Sequence, residues 1–181
     1  VTWTNLAGGA WNTAVNWSPN QVPSTNGIAV ITNAGDYTVT LNVNPTLAGL
    51  MLGGDRGTQT LATADRTLVL NGAAVVRTNG HLFFSGGVLS GPGPILLEGA
   101  WTWRYGIVDT NAVVDVASGA QVTISSSGKF TKTLNGSVTN AGSISWEPLG
   151  NLIIGGTLHT LAGGVIEMPA DSGSIRDGGG G

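Results

Sequence analysis

The side chains able to do chemistry are few. Ten carboxylates, seven Lys and Arg, two histidines and no cysteine are spread over 181 residues. Glycoside hydrolysis wants two carboxyl groups about 5–10 Å apart. Asp109 and Asp115, which bracket one short segment, are the best-placed pair, and hydrogen bonding at a chain corner is the favoured alternative for them. His81 and His159 stand beside apolar Leu82 and Leu158, on strand positions expected to face solvent, and no metal-ligand spacing joins them. There is no G-x-S-x-G elbow and no glycine loop set between a strand and a helix. No catalytic residue, metal or cofactor is therefore expected, with a polysaccharide lyase or hydrolase fragment as the enzymatic alternative. The remaining chemistry is stacking. The stretch "EGAWTWRYGIVD" (98–109) sets Trp101, Trp103 and Tyr105 two apart, hence on one face of a strand. Three rings there suit either a sugar platform or a packed interior.

Composition narrows what can position them. Only 9% of residues are charged against 41% hydrophobic, with thirty glycines. An ordinary soluble domain carries about 25% charge. Few charges with many Gly, Ser, Thr and Asn argue for an all-β chain, since helices favour Ala, Leu, Glu and Lys. A net charge of −3 is too little basic charge to neutralise phosphates, so nucleic acid is not an expected partner. No apolar run approaches the roughly 20 residues that span a membrane as a helix. The absence of cysteine excludes a disulfide scaffold and is compatible with either redox compartment.

A repeat organises the chain. The segments "NGHLFFSGG" (79–87), "EGAWTWRYG" (98–106), "SGAQVTISSSG" (118–128), "NAGSISWEPLG" (140–150) and "AGGVIEMPADSG" (162–173) align on an apolar–x–apolar triplet. The first apolar column reads Leu82, Trp101, Val122, Ile144, Ile166, and the second Phe84, Trp103, Ile124, Trp146, Met168. Both columns advance by the same nearly constant step from one segment to the next, the signature of a repeat architecture. Between them lie Phe83, Thr102, Thr123, Ser145 and Glu167, polar in four of five cases. A third column is Leu89, Val108, Phe130, Leu152, and a looser one Leu97, Val116, Val138, Leu158. Apolar columns at this period predict a single-stranded parallel β-helix with three-sided coils of about 19–22 residues, each coil hydrogen-bonded to the next. Right-handed coiling is expected, as for parallel crossovers in general. Upstream, Leu50/Leu52 and Leu68/Leu70 break the period, which suggests an irregular coil or an inserted loop at 53–59.

The columns turn Trp101, Trp103 and Trp146 towards the interior, with an exposed platform as the rival reading. Tyr105 differs: its column continues as Gly86, Ser126, Pro148 and Ala170, so it sits at an exposed turn. Arg104 lies in the column of Glu147, two coils or roughly 9.6 Å away, too far for an ion pair. Residues 1–35 lack the period and hold Trp3, Trp11 and Trp17 in a Gly/Asn/Pro-rich stretch, expected to cap the open end of the solenoid. The rival for these indoles is a carbohydrate surface. The expected organisation is cap 1–35, solenoid 36–173 and Gly-rich tail or linker 174–181. Val1 in place of Met and the final "DGGGG" suggest a piece of a longer protein.

"WNTAVNWSPNQVP" (11–23) resembles the W-x4-N-W-S-x4-P opening ahead of β-helix repeats in large bacterial surface and secreted proteins. "FSGGVLSGPG" (84–93) and "KTLNGSVTNAGSISW" (132–146) resemble the autotransporter-like and adhesin-like repeats of those proteins. The resemblance implies an extracellular, structural or adhesive module and brings no catalytic residues. Low charge and the glycine-ended C-terminus suggest, in addition, that the last coil, near Leu158 to Met168, pairs with another copy or with downstream coils. The alternative is a carbohydrate-binding module in which Arg104, Tyr105 and an exposed subset of Trp3, Trp11 and Trp17 contact a polysaccharide or cell-surface glycan.

Overall fold

The computed structural model describes residues 1–125, 130–148, 151–168 and 174–178. Three short strands open the chain: β1 (Thr2–Trp3), β2 (Gly9–Ala10) and β3 (Trp17–Ser18), with one 3-10 turn at Ala14–Asn16. About seven stacked turns follow. The first runs β4 (Ile28–Ile31), β5 (Tyr37–Thr40), β6 (Thr46–Leu47), and the second β7 (Gly49–Leu52), β8 (Gln59–Ala62), β9 (Leu68–Leu70). The third is β10 (Ala74–Val76) and β11 (Gly80–Ser90), the fourth β12 (Pro94–Leu97) and β13 (Ala100–Val108). The fifth is β14 (Val113–Val116), β15 (Gln121–Ile124), β16 (Lys132–Leu134), and the sixth β17 (Ser137–Asn140), β18 (Ser143–Trp146), β19 (Leu152–Ile154). The seventh is β20 (Thr157–Thr160), β21 (Val165–Glu167) and β22 (Ile175–Asp177).

The turns build three parallel faces. Face A stacks β1, β4, β7, β10, β12, β14, β17 and β20; face B stacks β2, β5, β8, β11, β13, β15, β18 and β21. Face C stacks β6, β9, the second halves of β11 and β13, then β16, β19 and β22. This is the all-β solenoid of three-sided coils that the columns predict. Alternation within each strand sends one side chain in and the next out, so columns of like residues fill the interior.

The first two predicted columns are physical ladders. Leu82, Trp101, Val122, Ile144 and Ile166 lie in register, as do Phe84, Trp103, Ile124 and Trp146. Trp101 and Trp103 are 2% exposed and stack on each other at 5.2 Å between ring centres. The interior reading is correct for both, and for Trp146.

The other two columns need correction. Leu89 and Val108 continue to Leu134 and Ile154, not to Phe130 and Leu152. The step from Val108 to Leu134 is longer than the one from Leu89 to Val108, because the fifth turn reaches face C on a separate strand, β16, where β11 and β13 simply bend from face B into face C. Phe130 is thrown outside, 60% exposed, and Lys132 enters the interior between Gly106 and Leu152. Likewise Leu97 and Val116 continue to Asn140 and Thr160, while Val138 and Leu158 stack on Ile95 and Val114. Asn140 is admitted to the interior because its amide donates to Val165 O and accepts from Gly142 N, satisfying both polar ends.

No irregular coil or insertion sits at 53–59. Leu50/Leu52 belong to face A and Leu68/Leu70 to face C, so their separation is not a period. That corner is pinned by buried Gln59, which accepts from Gly54 N and donates to Gly35 O and Arg56 O. At the two ends, solenoid strands run past the expected boundaries: β4 falls within 1–35 and β22 within 174–181. Ser126 and Ala170 of the Tyr105 column, and residues 179–181, lie outside the described residues.

Candidate functional site

Of eleven Phe, Tyr and Trp residues, eight are buried, and the three that are not gather where face B meets face C. They are Phe83 in the third turn, Tyr105 in the fourth and Phe130 in the fifth. An exposed apolar group rimmed by polar side chains is the surface feature most worth explaining on such a protein.

The corner is assembled from four successive turns. In the second, Ala64 and Asp65 take positive φ, 46° and 62°, the only non-glycine residues among those described to do so. Such backbone costs about 1–3 kcal/mol per residue and persists only where its surroundings hold it. Buried Thr63 does the holding: its hydroxyl donates to Gly86 O at 2.9 Å and accepts from Ser85 N at 3.0 Å. Asp65 N donates to Ser85 O at 3.0 Å. In the third turn the ladder slips between Phe84, Ser85 and Val88, and Gly86 and Gly87 bend the strand at φ of 92° and 81°. A Cβ on Gly86 would run into Asp65 Oδ1 and Tyr105 Cε2, so glycine there lets these two side chains meet.

Tyr105 then fills the corner of the fourth turn. Its ring stacks on Phe130 at 4.7 Å and 23°, and its hydroxyl donates a long bond of 3.4 Å to Asp65 Oδ2. Partial burial, then Asp65, holds the phenol above its ordinary pKa. Arg104 is exposed, its guanidinium carbon 6.0 Å from the Phe83 ring centre. On the same outer face His81 meets Phe83 edge-on at 6.0 Å and bonds Thr102 Oγ1 at 2.9 Å, and burial lowers its pKa. Lys132 lies beneath, fully buried. Desolvation dominates and brings its amine from 10.5 to about 8, with Glu147 opposing and Arg104 adding to the shift.

The sequence-predicted residues divide cleanly. Arg104 and Tyr105 belong to this corner. Trp3, Trp11 and Trp17 are 0%, 0% and 1% exposed and leave the exposed-aromatic set, because an indole with no accessible face cannot stack on a sugar. They pack on one another instead, Trp17 standing edge-on to Trp3 at 5.0 Å and to Trp11 at 4.8 Å. Asp109 accepts from the Ser90 hydroxyl at 2.8 Å, and that bond holds its carboxyl below the ordinary value, the wrong direction for a general acid. Asp115 points outward from β14. Among the described residues no three His, Cys, Asp or Glu side chains gather to hold a metal ion, and no helix is long and apolar enough to cross a membrane.

Sequence reasoning missed Phe83, Phe130, Asp65 and Lys132. One signal existed: Phe83 is the apolar member of an otherwise polar outward column. Comparison with protein-family profiles, with curated proteins and with solved structures returned no match for the chain.

Proposed function

We propose that the chain is a structural and adhesive rod of an extracellular or cell-surface protein, and that its seventh turn is an association surface. One observation carries the association: the same inward column is sealed for six turns and open in the seventh. Val39, Leu61, Leu82, Trp101, Val122 and Ile144 are 0–4% exposed, whereas Ile166 is 36% exposed, with Val165 and Met168 beside it at 46% and 42%. Each strand of that turn has a hydrogen-bonded neighbour on one side only among the described strands. Unpaired parallel edges over apolar side chains invite another β-structure.

A second copy is an occupant that this geometry can accept. At the other end the interior is filled by tryptophan and the last strand, β3, is two residues long and antiparallel. The open edge of the seventh turn suits further coils of a longer chain or a second copy; for the chain as given, a second copy joined end to end closes at two rather than growing into a filament. Low charge favours such contacts, and the likeness of residues 11–23 to openings of bacterial surface repeats supports the extracellular setting.

Size-exclusion chromatography with light scattering over a wide concentration range tests the association. The expected mass rises from one copy to two, and Ile166→Lys returns it to one. A strictly monomeric wild-type chain at high concentration, or growth beyond two copies, overturns the reading.

A further inference from the structure

We infer that the corner between faces B and C is a saccharide site, and that it takes a neutral hexose chain lying against Phe130 and Tyr105. The inference goes beyond the rod reading and does not depend on it.

Three observations meet at this corner. First, every aromatic ring of the chain that escapes burial is here, on three consecutive turns, although turns throughout the solenoid offer outward positions. Chance placement of an apolar excess would scatter such rings. Secondly, the described non-glycine residues with positive φ, Ala64 and Asp65, are also here, held by Thr63 and cleared by Gly86. Strain of this kind concentrates where a side chain must be presented in a set direction. Here it presents the Asp65 carboxylate beside the Tyr105 hydroxyl. Thirdly, the polar groups flanking the rings are of both kinds that vicinal hydroxyls need. Arg104 offers parallel N–H donors, and Asp65 offers two acceptor oxygens.

The chemistry of the corner selects among ligands. A pyranose has a flat C–H face for an aromatic ring and paired hydroxyls at its edge for a guanidinium and a carboxylate. On the described surface the exposed cations Arg66 and Arg104 are matched by the exposed anions Asp65 and Glu147, and the third cation, Lys132, is fully buried beneath them, so the surface offers no unmatched charge to a uronate or sulfated chain. Nucleic acid is disfavoured by the net charge of −3. Tyr105 and Phe130 meet across successive turns roughly 4.8 Å apart, so a polymer lying on them would run along the rod, with Phe83, in register with Thr102, set to one side on face B.

Affinity electrophoresis of the whole chain through gels containing hydroxyethylcellulose, mannan or galactan tests this, with polygalacturonate and a decaproline peptide as the other arms. Retardation in at least one neutral polysaccharide is expected, weakened about tenfold, or about 1.4 kcal/mol, in Phe130→Ala and in Tyr105→Ala. Phe130→Tyr, which keeps the ring, retains binding. Phe130 is 60% exposed, so its alanine variant folds as the wild type does, and an unchanged urea midpoint verifies it. Three results overturn the inference: no retardation in any neutral polysaccharide, retardation that Phe130→Ala leaves intact, or binding confined to polygalacturonate or to the peptide. Light scattering of Phe130→Ala separates the two proposals, since loss of this site leaves end-to-end association untouched.

Discussion

The two ends of the solenoid solve one physical problem in opposite ways. An inward side chain is sealed by the coil above and the coil below, so among the described coils the first and the last each lack one neighbour. At the N-terminal end three indoles supply the missing layer. Trp17 Nε1 donates to Trp11 O at 2.7 Å and Trp3 Nε1 to Asn5 O at 2.6 Å, so two of the three place their N–H groups without opening the cluster to water. The C-terminal end has no counterpart among the described residues, and Val165, Ile166, Met168 and Ile175 remain between 36% and 46% exposed. The interior differs as well. In the first four turns it is apolar apart from corner-pinning groups such as Gln59, whereas the fifth and sixth admit Lys132 and Asn140. In a repeat array stability is close to a sum of nearest-neighbour terms. The N-terminal half therefore has the more uniformly apolar interior, and the buried amine of the C-terminal half makes that half the more sensitive to pH.

Three substitutions press on that contrast. The largest effect is expected from Trp17→Ala, which removes the ring between Trp3 and Trp11 and costs about 3–5 kcal/mol in urea unfolding. A cost below about 1 kcal/mol would show that the indoles cover the end without stabilising it. Next comes Lys132→Met, which replaces a buried amine by an apolar chain of similar volume and is expected to remove the pH dependence that this amine gives to stability. The sign follows from proton binding. Folded Lys132 loses its proton near pH 8 while the unfolded chain keeps it to about 10.5, so stability is lowest below 8 and climbs as pH rises between these values. Urea midpoints measured across that window should rise for the wild-type chain and lie flatter for Lys132→Met; equal slopes would remove Lys132 as their source. The smallest stability effect belongs to Ile166→Lys, about 1 kcal/mol because the side chain, though inward, is already 36% exposed. Its consequence is read in the oligomer mass rather than in the unfolding curve.

Much of the fold is legible in the sequence, and the reason is local. The near-constant period of the triplet around Leu82 and Phe84 marks face B, where each turn spends similar lengths of chain. Face C is misread at Phe130 because a bent strand serves the corner in one turn and two separate strands serve it in the next. The ladder therefore takes a short step from Leu89 to Val108 and a longer one from Val108 to Leu134. Period counting assumes equal corners, and a hydrogen-bonded ladder does not require them. The same cause hides Lys132 in the interior and places Phe130 outside it.

The candidate site is half legible. Arg104 and Tyr105 stand out as residues that the repeat cannot absorb. Asp65, forty residues earlier, joins them only because two turns of chain bring it beneath Tyr105. Trp3, Trp11 and Trp17 mark the limit of composition as a guide, since an indole among Asn and Gly suits a cap and a sugar surface equally well.

Residue types and their spacing thus determined by themselves that the chain is all-β, that it coils in three-sided turns, and that Trp101 and Trp103 line the interior. In-out alternation and apolar columns are properties of a strand and its nearest copies. Tertiary structure alone decided that Phe83 and Phe130 escape burial, where Lys132 lies, and that the indoles at the N-terminal end are sealed in rather than presented to solvent. Those outcomes depend on corner lengths and on contacts across turns, for which neighbouring residues in the chain carry no signal.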